Sequence, residues 1–289
     1  MDGIIAAVPT PVDSACAPLR GLYVEHCEWA LANGCDGLNI LGSTGEANSF
    51  DMDTRRVVME WAAAACPMDR LMVGTGTPSL AETISLTIAA DDLGYGVALV
   101  LPPYYYKPVS AAGLITWYTA LHEALGSRAI QIYFYNFPQL TGLGIPVAVI
   151  AELSHRHPTR FTGIKDSSGD LEYARAVVAV NATLRVFPSS ETVLHHARAD
   201  GFAGCISASV NVTAPLCAQV WNMGADAASN LTEEISRQRA AITGPNLIPS
   251  VKHMVSHRTS DARWRNTVPP FLPLPEGAAR DLETALTGP

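Results

Sequence analysis

Eight short apolar runs, separated by stretches with helical patterning, constrain this chain more than any other feature. They are Ile4–Val8, Gly37–Leu41, Leu71–Gly74, Val97–Leu101, Ile130–Tyr135, Phe161–Lys165, Leu184–Phe187 and Gly204–Ser207. Each is continuously apolar rather than alternating, the pattern of a strand covered on both faces. Strict alternation of such strands with helices is the signature of βαβ units in a parallel sheet. Eight units favour closure, so the predicted fold class is α/β, a (β/α)8 TIM barrel. Most runs end in Gly, Pro, Ser, Thr or Asn, and helix starts are marked at Asp51-x-x-Thr54 and by a capping box at Ser79-x-x-Glu82.

Strand-like runs stop before Gly224. Beyond it, Ala225–Ile242, Leu247–His257 and Glu276–Leu286 read as helices broken by Gly and Pro. The expected organisation is a catalytic barrel over residues 1–224 and a helical segment over residues 225–289 packed on it. A length of 289 residues suits one barrel with such an appendage. With 48% hydrophobic and only 16% charged residues, the chain has material for a large core and a surface thin in charge, which makes self-association plausible.

A net charge of −8 without clustered Lys or Arg argues against nucleic-acid binding. No run reaches the ~18 consecutive apolar residues of a membrane span, and the first residues, Met1-Asp2-Gly3-Ile4-Ile5, carry no signal-peptide pattern. The six cysteines form no CxxC pair and have no zinc-like spacing with histidine, so reduced thiols and a cytoplasmic location are expected. There is no HExxH. His195-His196, adjacent on an expected helix, would splay apart rather than share an ion, so no metal is expected. Gly74-Thr75-Gly76 lacks the third glycine of a dinucleotide fingerprint.

Barrel enzymes carry their chemistry at the C-terminal ends of the strands. Here those ends hold Ser43, Thr44 and Glu46 after the second run, Tyr104, Tyr105 and Tyr106 after the fourth, Tyr135 and Asn136 at the fifth, and Lys165, Asp166 and Ser167 at the sixth. Only three lysines exist, Lys107, Lys165 and Lys252. Lys165 ends the uncharged run Phe161-Thr162-Gly163-Ile164, where desolvation favours the neutral amine that attacks a ketone to form an imine. The competing reading is a structural ion pair, with Asp166 as partner. Tyr135 could shuttle a proton or simply pack. Gly42-Ser43-Thr44-Gly45 offers hydroxyls and backbone N–H groups suited to a carboxylate, although any small-residue turn looks similar.

Four motifs occur in order: Gly42-Ser43-Thr44-Gly45-Glu46, Pro103-Tyr104-Tyr105, Tyr135-Asn136-Phe137-Pro138 and Gly163-Ile164-Lys165-Asp166. Together they resemble the dihydrodipicolinate synthase/N-acetylneuraminate lyase family of class I, pyruvate-dependent aldolases. The resemblance extends from the first strand through Gly204-Cys205-Ile206-Ser207 into the helical tail. It implies an enzyme that makes or cleaves a C–C bond between pyruvate and an aldehyde through a Schiff base at Lys165, with no cofactor beyond that imine. It further implies Tyr135 as the acid/base phenol, Ser43, Thr44 and Gly45 around the pyruvate carboxylate, and the Ile206 carbonyl as a substrate contact. Tyr105 corresponds to a tyrosine that enters a neighbouring subunit's site and joins Thr44 and Tyr135 in a proton relay, implying a homodimer or homotetramer.

Departures from the family pattern bear on the second substrate. Leu140 stands where dihydrodipicolinate synthases carry an arginine that grips a carboxylate, and loss of such a charge-assisted clamp removes roughly 1.5–3 kcal/mol. Leu140 and the stretch Lys165-Asp166-Ser167-Ser168-Gly169-Asp170 are more similar to the sugar-acid and 2-oxo-acid aldolases, making Ser167 a candidate contact. The resemblance also places Glu191 where sugar-acid lyases bind substrate hydroxyls. Met52, Arg55 and Pro78 occupy positions where lysine-regulated members carry histidines and an asparagine. Three alternatives stay open: an authentic 4-hydroxy-tetrahydrodipicolinate synthase, a hydratase or dehydratase variant, and a non-catalytic barrel that binds pyruvate or a 2-oxo acid.

Overall fold

A computed structural model describes residues 1–244 and 246–287. Pro245, Gly288 and Pro289, which belong to the expected C-terminal segment, lie outside the described residues. The eight strands are β1 (Gly3–Ala7), β2 (Gly37–Ile40), β3 (Leu71–Gly74), β4 (Val97–Val100), β5 (Gln131–Asn136), β6 (Phe161–Asp166), β7 (Arg185–Pro188) and β8 (Gly204–Ser207). All pairings are parallel, in the order β7-β6-β5-β4-β3-β2-β1-β8. Because β8 pairs with β1, the sheet wraps into a barrel. A hydrogen bond from the Ala203 N–H to the Val186 carbonyl spans the remaining seam at 2.9 Å.

The intervening helices are α1 (Arg20–Ala32), α2 (Met52–Ala65), α3 (Leu80–Asp92), α4 (Ala111–Leu125), α5 (Pro138–Thr141), α6 (Val147–Arg156), α7 (Leu171–Val180) and α8 (Val210–Met223). The sequence caps are formed: Asp51 accepts the Thr54 N–H at 2.7 Å and Ser79 accepts the Glu82 N–H at 3.3 Å. Strand alternation divides the apolar residues into two sets. Ile4, Ala6, Leu38, Ile40 and Val73 pack outward against the helices, whereas Ile5, Met72, Leu99, Tyr133, Phe187 and Ile206 fill the barrel. Gly163 makes room for this filling, since a Cβ there would stand 2.8 Å from the Tyr133 ring.

Two segments differ from the sequence expectation. Between β7 and β8 there is a short 3-10 turn, Glu191–Val193, followed by irregular turns, so His195 and His196 do not lie on a helix. Their rings meet edge to face at 4.5 Å. Polar residues at this point are drawn into side-chain bonds at the barrel end, which take the place of a regular helical ladder. After α8, residues Gly224–Asp226 form a separate 3-10 turn, and α9 begins only at Ser229 and runs to Ile242. Helices α10 (Leu247–Thr259) and α11 (Glu276–Thr287) follow. No helix among the described residues is long and apolar enough to cross a membrane.

Candidate active site

Parallel register sets Tyr135 of β5 directly beside Lys165 of β6, and Lys165 beside Phe187 of β7. Register partners on adjacent strands point to the same face, so both side chains enter the barrel. Lys165 is 4% exposed, and its Nζ lies 4.5 Å from the centroid of the Tyr135 ring. The π face of a tyrosine favours a cationic nitrogen at that distance.

Asp166, one residue further on, faces the other side of the strand. It accepts from Asn136 Nδ2 at 2.7 Å and from Ser168 Oγ at 2.8 Å. Burial raises its carboxyl above the ordinary value, against the opposing effect of those hydrogen bonds. No Lys165–Asp166 ion pair forms, which removes the structural alternative raised by the sequence.

The other two lysines are occupied. Lys107 Nζ donates to the Tyr104 and Thr141 carbonyls, both at 2.8 Å. Lys252, fully buried, forms an ion pair with Glu46 and donates to the Asn266 carbonyl at 2.9 Å. Lys165 alone among the three donates no hydrogen bond to a described residue.

The loop after β2 is bent at both ends by residues in the left-handed region, Leu41 with φ 51° and Glu46 with φ 55°. Such conformations cost energy in residues other than glycine and persist where surrounding structure imposes them. The Gly45 N–H bonds the Gly42 carbonyl and the Glu46 N–H bonds that of Ser43. Gly45 thus spends its amide inside the turn, whereas the Ser43 and Thr44 amides have no acceptor among the described residues. Ser43 Oγ lies 3.3 Å from Tyr135 Oη, linking the loop to the phenol.

These groups converge on a cavity of about 410 Å³, within the ordinary size of a small-molecule site. Ser43, Thr44, Tyr135, Leu140, Lys165, Ser167 and Ile206 line it. Three expected residues are absent from its wall: Gly45, whose amide is spent inside the turn, Tyr105 and Glu191. The Tyr105 side chain is 72% exposed on the β4 loop, packed edge to face on Tyr106 at 5.1 Å. Glu191 is fully buried, its carboxylate taken by Ser207 Oγ at 2.7 Å, Thr213 Oγ1 at 3.2 Å and Arg239 Nη1 at 2.7 Å. Arg239, rather than Glu191, therefore faces the cavity.

Arg239, Thr243, Leu247, Ile248 and Phe271 also line the cavity and were not foreseen. All come from the C-terminal segment, and no local pattern marks them, because their role depends on how that segment folds over the barrel mouth. A larger cavity of about 530 Å³ lies by Asp2, Arg185 and Trp221 at the opposite end of the strands, and no candidate site residue lines it. No cluster of three or more His, Cys, Asp or Glu placed to hold a metal ion occurs among the described residues.

Residues 1–287 match the dihydrodipicolinate synthetase family. An uncharacterized DapA-like lyase of Chloroflexus aurantiacus is 33% identical over 276 residues, covering 94% of this chain and 91% of that protein. A 4-hydroxy-tetrahydrodipicolinate synthase of Rhizobium meliloti is 31% identical over 220 residues, 75% of this chain and 73% of its own. The crystal structure of dihydrodipicolinate synthase from Agrobacterium tumefaciens superposes with a TM-score of 0.91 at 27% identity, covering 99% of both chains.

Proposed function

Since the chain belongs to the dihydrodipicolinate synthetase family of class I lyases, we propose that it joins pyruvate to an aldehyde, or cleaves the product, through an imine at Lys165. The observation that carries this reading is a buried lysine amine, free of internal partners, poised over the Tyr135 ring at the barrel mouth. In this reading residues 1–224 are the catalytic barrel, and residues 225–289 form a segment that folds over its mouth.

The pyruvate carboxylate sits against the free amides and hydroxyls of Ser43 and Thr44, which turns the ketone carbon toward Lys165 Nζ. Attack by the amine gives a carbinolamine, and loss of water gives an iminium ion. The Tyr135 phenol, hydrogen-bonded to Ser43, carries the proton to the departing hydroxyl, and its ring face favours the iminium charge. Loss of a proton from the pyruvate methyl then yields an enamine, whose carbon adds to the aldehyde carbonyl. Hydrolysis of the resulting imine frees the amine. The imine itself is the electron sink, so the reaction needs no further cofactor.

Borohydride added with pyruvate should reduce the imine and fix a pyruvate-derived mass on the peptide containing Lys165. A folded sample that gains no such mass would favour the non-catalytic binding barrel.

Tyr105 cannot serve its own chain's cavity from where it lies. Its exposed ring, together with Tyr106, suits insertion into a second copy of the chain, so the reading includes a homodimer or homotetramer with a shared site. Tyr105→Phe should depress turnover, and mixing it with Lys165→Ala subunits should restore part of the activity in hybrids. Proven subunit exchange without any recovery contradicts the shared site.

Authentic 4-hydroxy-tetrahydrodipicolinate synthesis is the second reading, favoured by the relative from Rhizobium meliloti. Against it stands Leu140, which is apolar, 65% exposed and lines the cavity where an arginine would hold the second substrate's carboxylate.

A further inference from the structure

We infer that Arg239, neutralised by Glu191, is the specificity-determining contact for the second substrate, and that this substrate is an aldehyde whose far end carries an uncharged oxygen function such as a hydroxyl. This inference rests on the lyase reading above and goes beyond it in naming the contact and the charge class.

All hydrogen bonds made by the Arg239 guanidinium leave from one nitrogen. Nη1 donates to Glu191 Oε2 at 2.7 Å, Ser209 Oγ at 2.9 Å and Ser207 Oγ at 3.0 Å. Nη2 and Nε have no acceptor among the described residues, while the side chain lines the Lys165 cavity and also the adjoining one bounded by Ser167, Ser189 and Ser190. Two N–H-bearing nitrogens on the exposed side of a fixed guanidinium are thus available to a ligand oxygen.

The charge of that ligand follows from what surrounds the arginine. Glu191 has no exposure to solvent, and Arg239 is its one ion-pair partner among the described residues. The pair presents donors without net positive charge. Once pyruvate is bound as the enamine, its nitrogen is neutral and its carboxylate leaves the cavity negative. Among the described residues Lys165 and Arg239 are the only cationic side chains lining it, and both are then spent. A second anion would face the uncompensated charge of the bound carboxylate without a free cation of its own, whereas a hydroxyl or carbonyl takes the free N–H groups with no such repulsion. Phe137, Leu140, Ile248 and Phe271, which also line the cavity, add apolar surface rather than charge.

The test compares glyceraldehyde with glyceraldehyde 3-phosphate and succinic semialdehyde as acceptors for pyruvate. The wild type should prefer the uncharged aldehyde in kcat/KM by about tenfold or more. Glu191→Gln keeps the shape of the buried side chain and uncovers the arginine charge, so it should move the preference toward the anionic aldehydes by about tenfold. Arg239→Lys keeps the counter-charge for Glu191 but loses the planar fork. It should raise KM for glyceraldehyde about tenfold with little change in kcat, and borohydride should still trap pyruvate on Lys165.

A wild type that traps pyruvate yet uses the anionic aldehydes equally well, or uses no aldehyde, overturns the inference. So does a Glu191→Gln enzyme that traps pyruvate and keeps the wild-type preference. If Glu191→Gln fails to fold, the wild-type preference and the KM of Arg239→Lys decide the matter. Failure of the wild type to trap pyruvate overturns the lyase reading instead.

Discussion

Replacing Lys165 with alanine should reduce turnover by about 10³-fold or more with every aldehyde, as loss of a covalent nucleophile does in other enzymes. Lys165→Arg sharpens the expectation. It preserves a cation over the Tyr135 ring but offers no amine that can form an imine, so it should be as inactive as the alanine variant. Steady-state turnover and borohydride trapping measured on the same folded samples would check both. Activity within tenfold of wild type in either variant would mean that the lysine supplies only electrostatics. Neither Lys107 nor Lys252 could take over the chemistry, since one amine is bound to two carbonyls and the other to a buried carboxylate.

The end of an apolar run alone left Lys165 open between an imine and an ion pair; the resemblance carried by the four motifs at neighbouring strand ends is what pointed to the imine, and the structure shows no ion pair to Asp166. The barrel was legible in the sequence: strands covered on both faces must be continuously apolar, and each of the eight lies within about one residue of its predicted bounds. The β7–β8 connection was not legible. A stretch containing Glu191 and His195-His196 has ordinary helical composition, and the contacts that hold Glu191 run to Ser207, Thr213 and Arg239, the last of these 48 positions away, where no local pattern records them. Tyr105 is a different case, since its expected partner lies on another chain, and a single chain can show only an exposed ring. Arg239 was hidden because its position at the mouth is a property of how α9 packs, not of any motif around it.

The same dependence on the C-terminal segment governs the loop after β2, where the proposed reading seats the pyruvate carboxylate. Glu46 closes the Gly42-Ser43-Thr44-Gly45 loop in a left-handed conformation and is buried, with Oε1 accepting the Val268 N–H at 2.7 Å and the carboxylate paired to Lys252 of α10. Burial pushes the Lys252 ammonium below its ordinary value and Glu46 pushes it back up, so each charge is tolerated there because of the other. Lys252→Met should therefore cost about 3–5 kcal/mol, because it strands the carboxylate without its counter-ion. The double variant Glu46→Gln/Lys252→Met should regain much of that loss, since two neutral groups carry no desolvation penalty for an unpaired charge. Urea denaturation of the two single variants and the double variant would measure the coupling. A Lys252→Met protein within about 1 kcal/mol of wild type would show that the pair is not holding the loop. In the double variant, refolded but with the tie between α10 and the loop weakened, KM for pyruvate should rise more than kcat falls, because Ser43 and Thr44 would lose the positioning that lets their amides meet the carboxylate together.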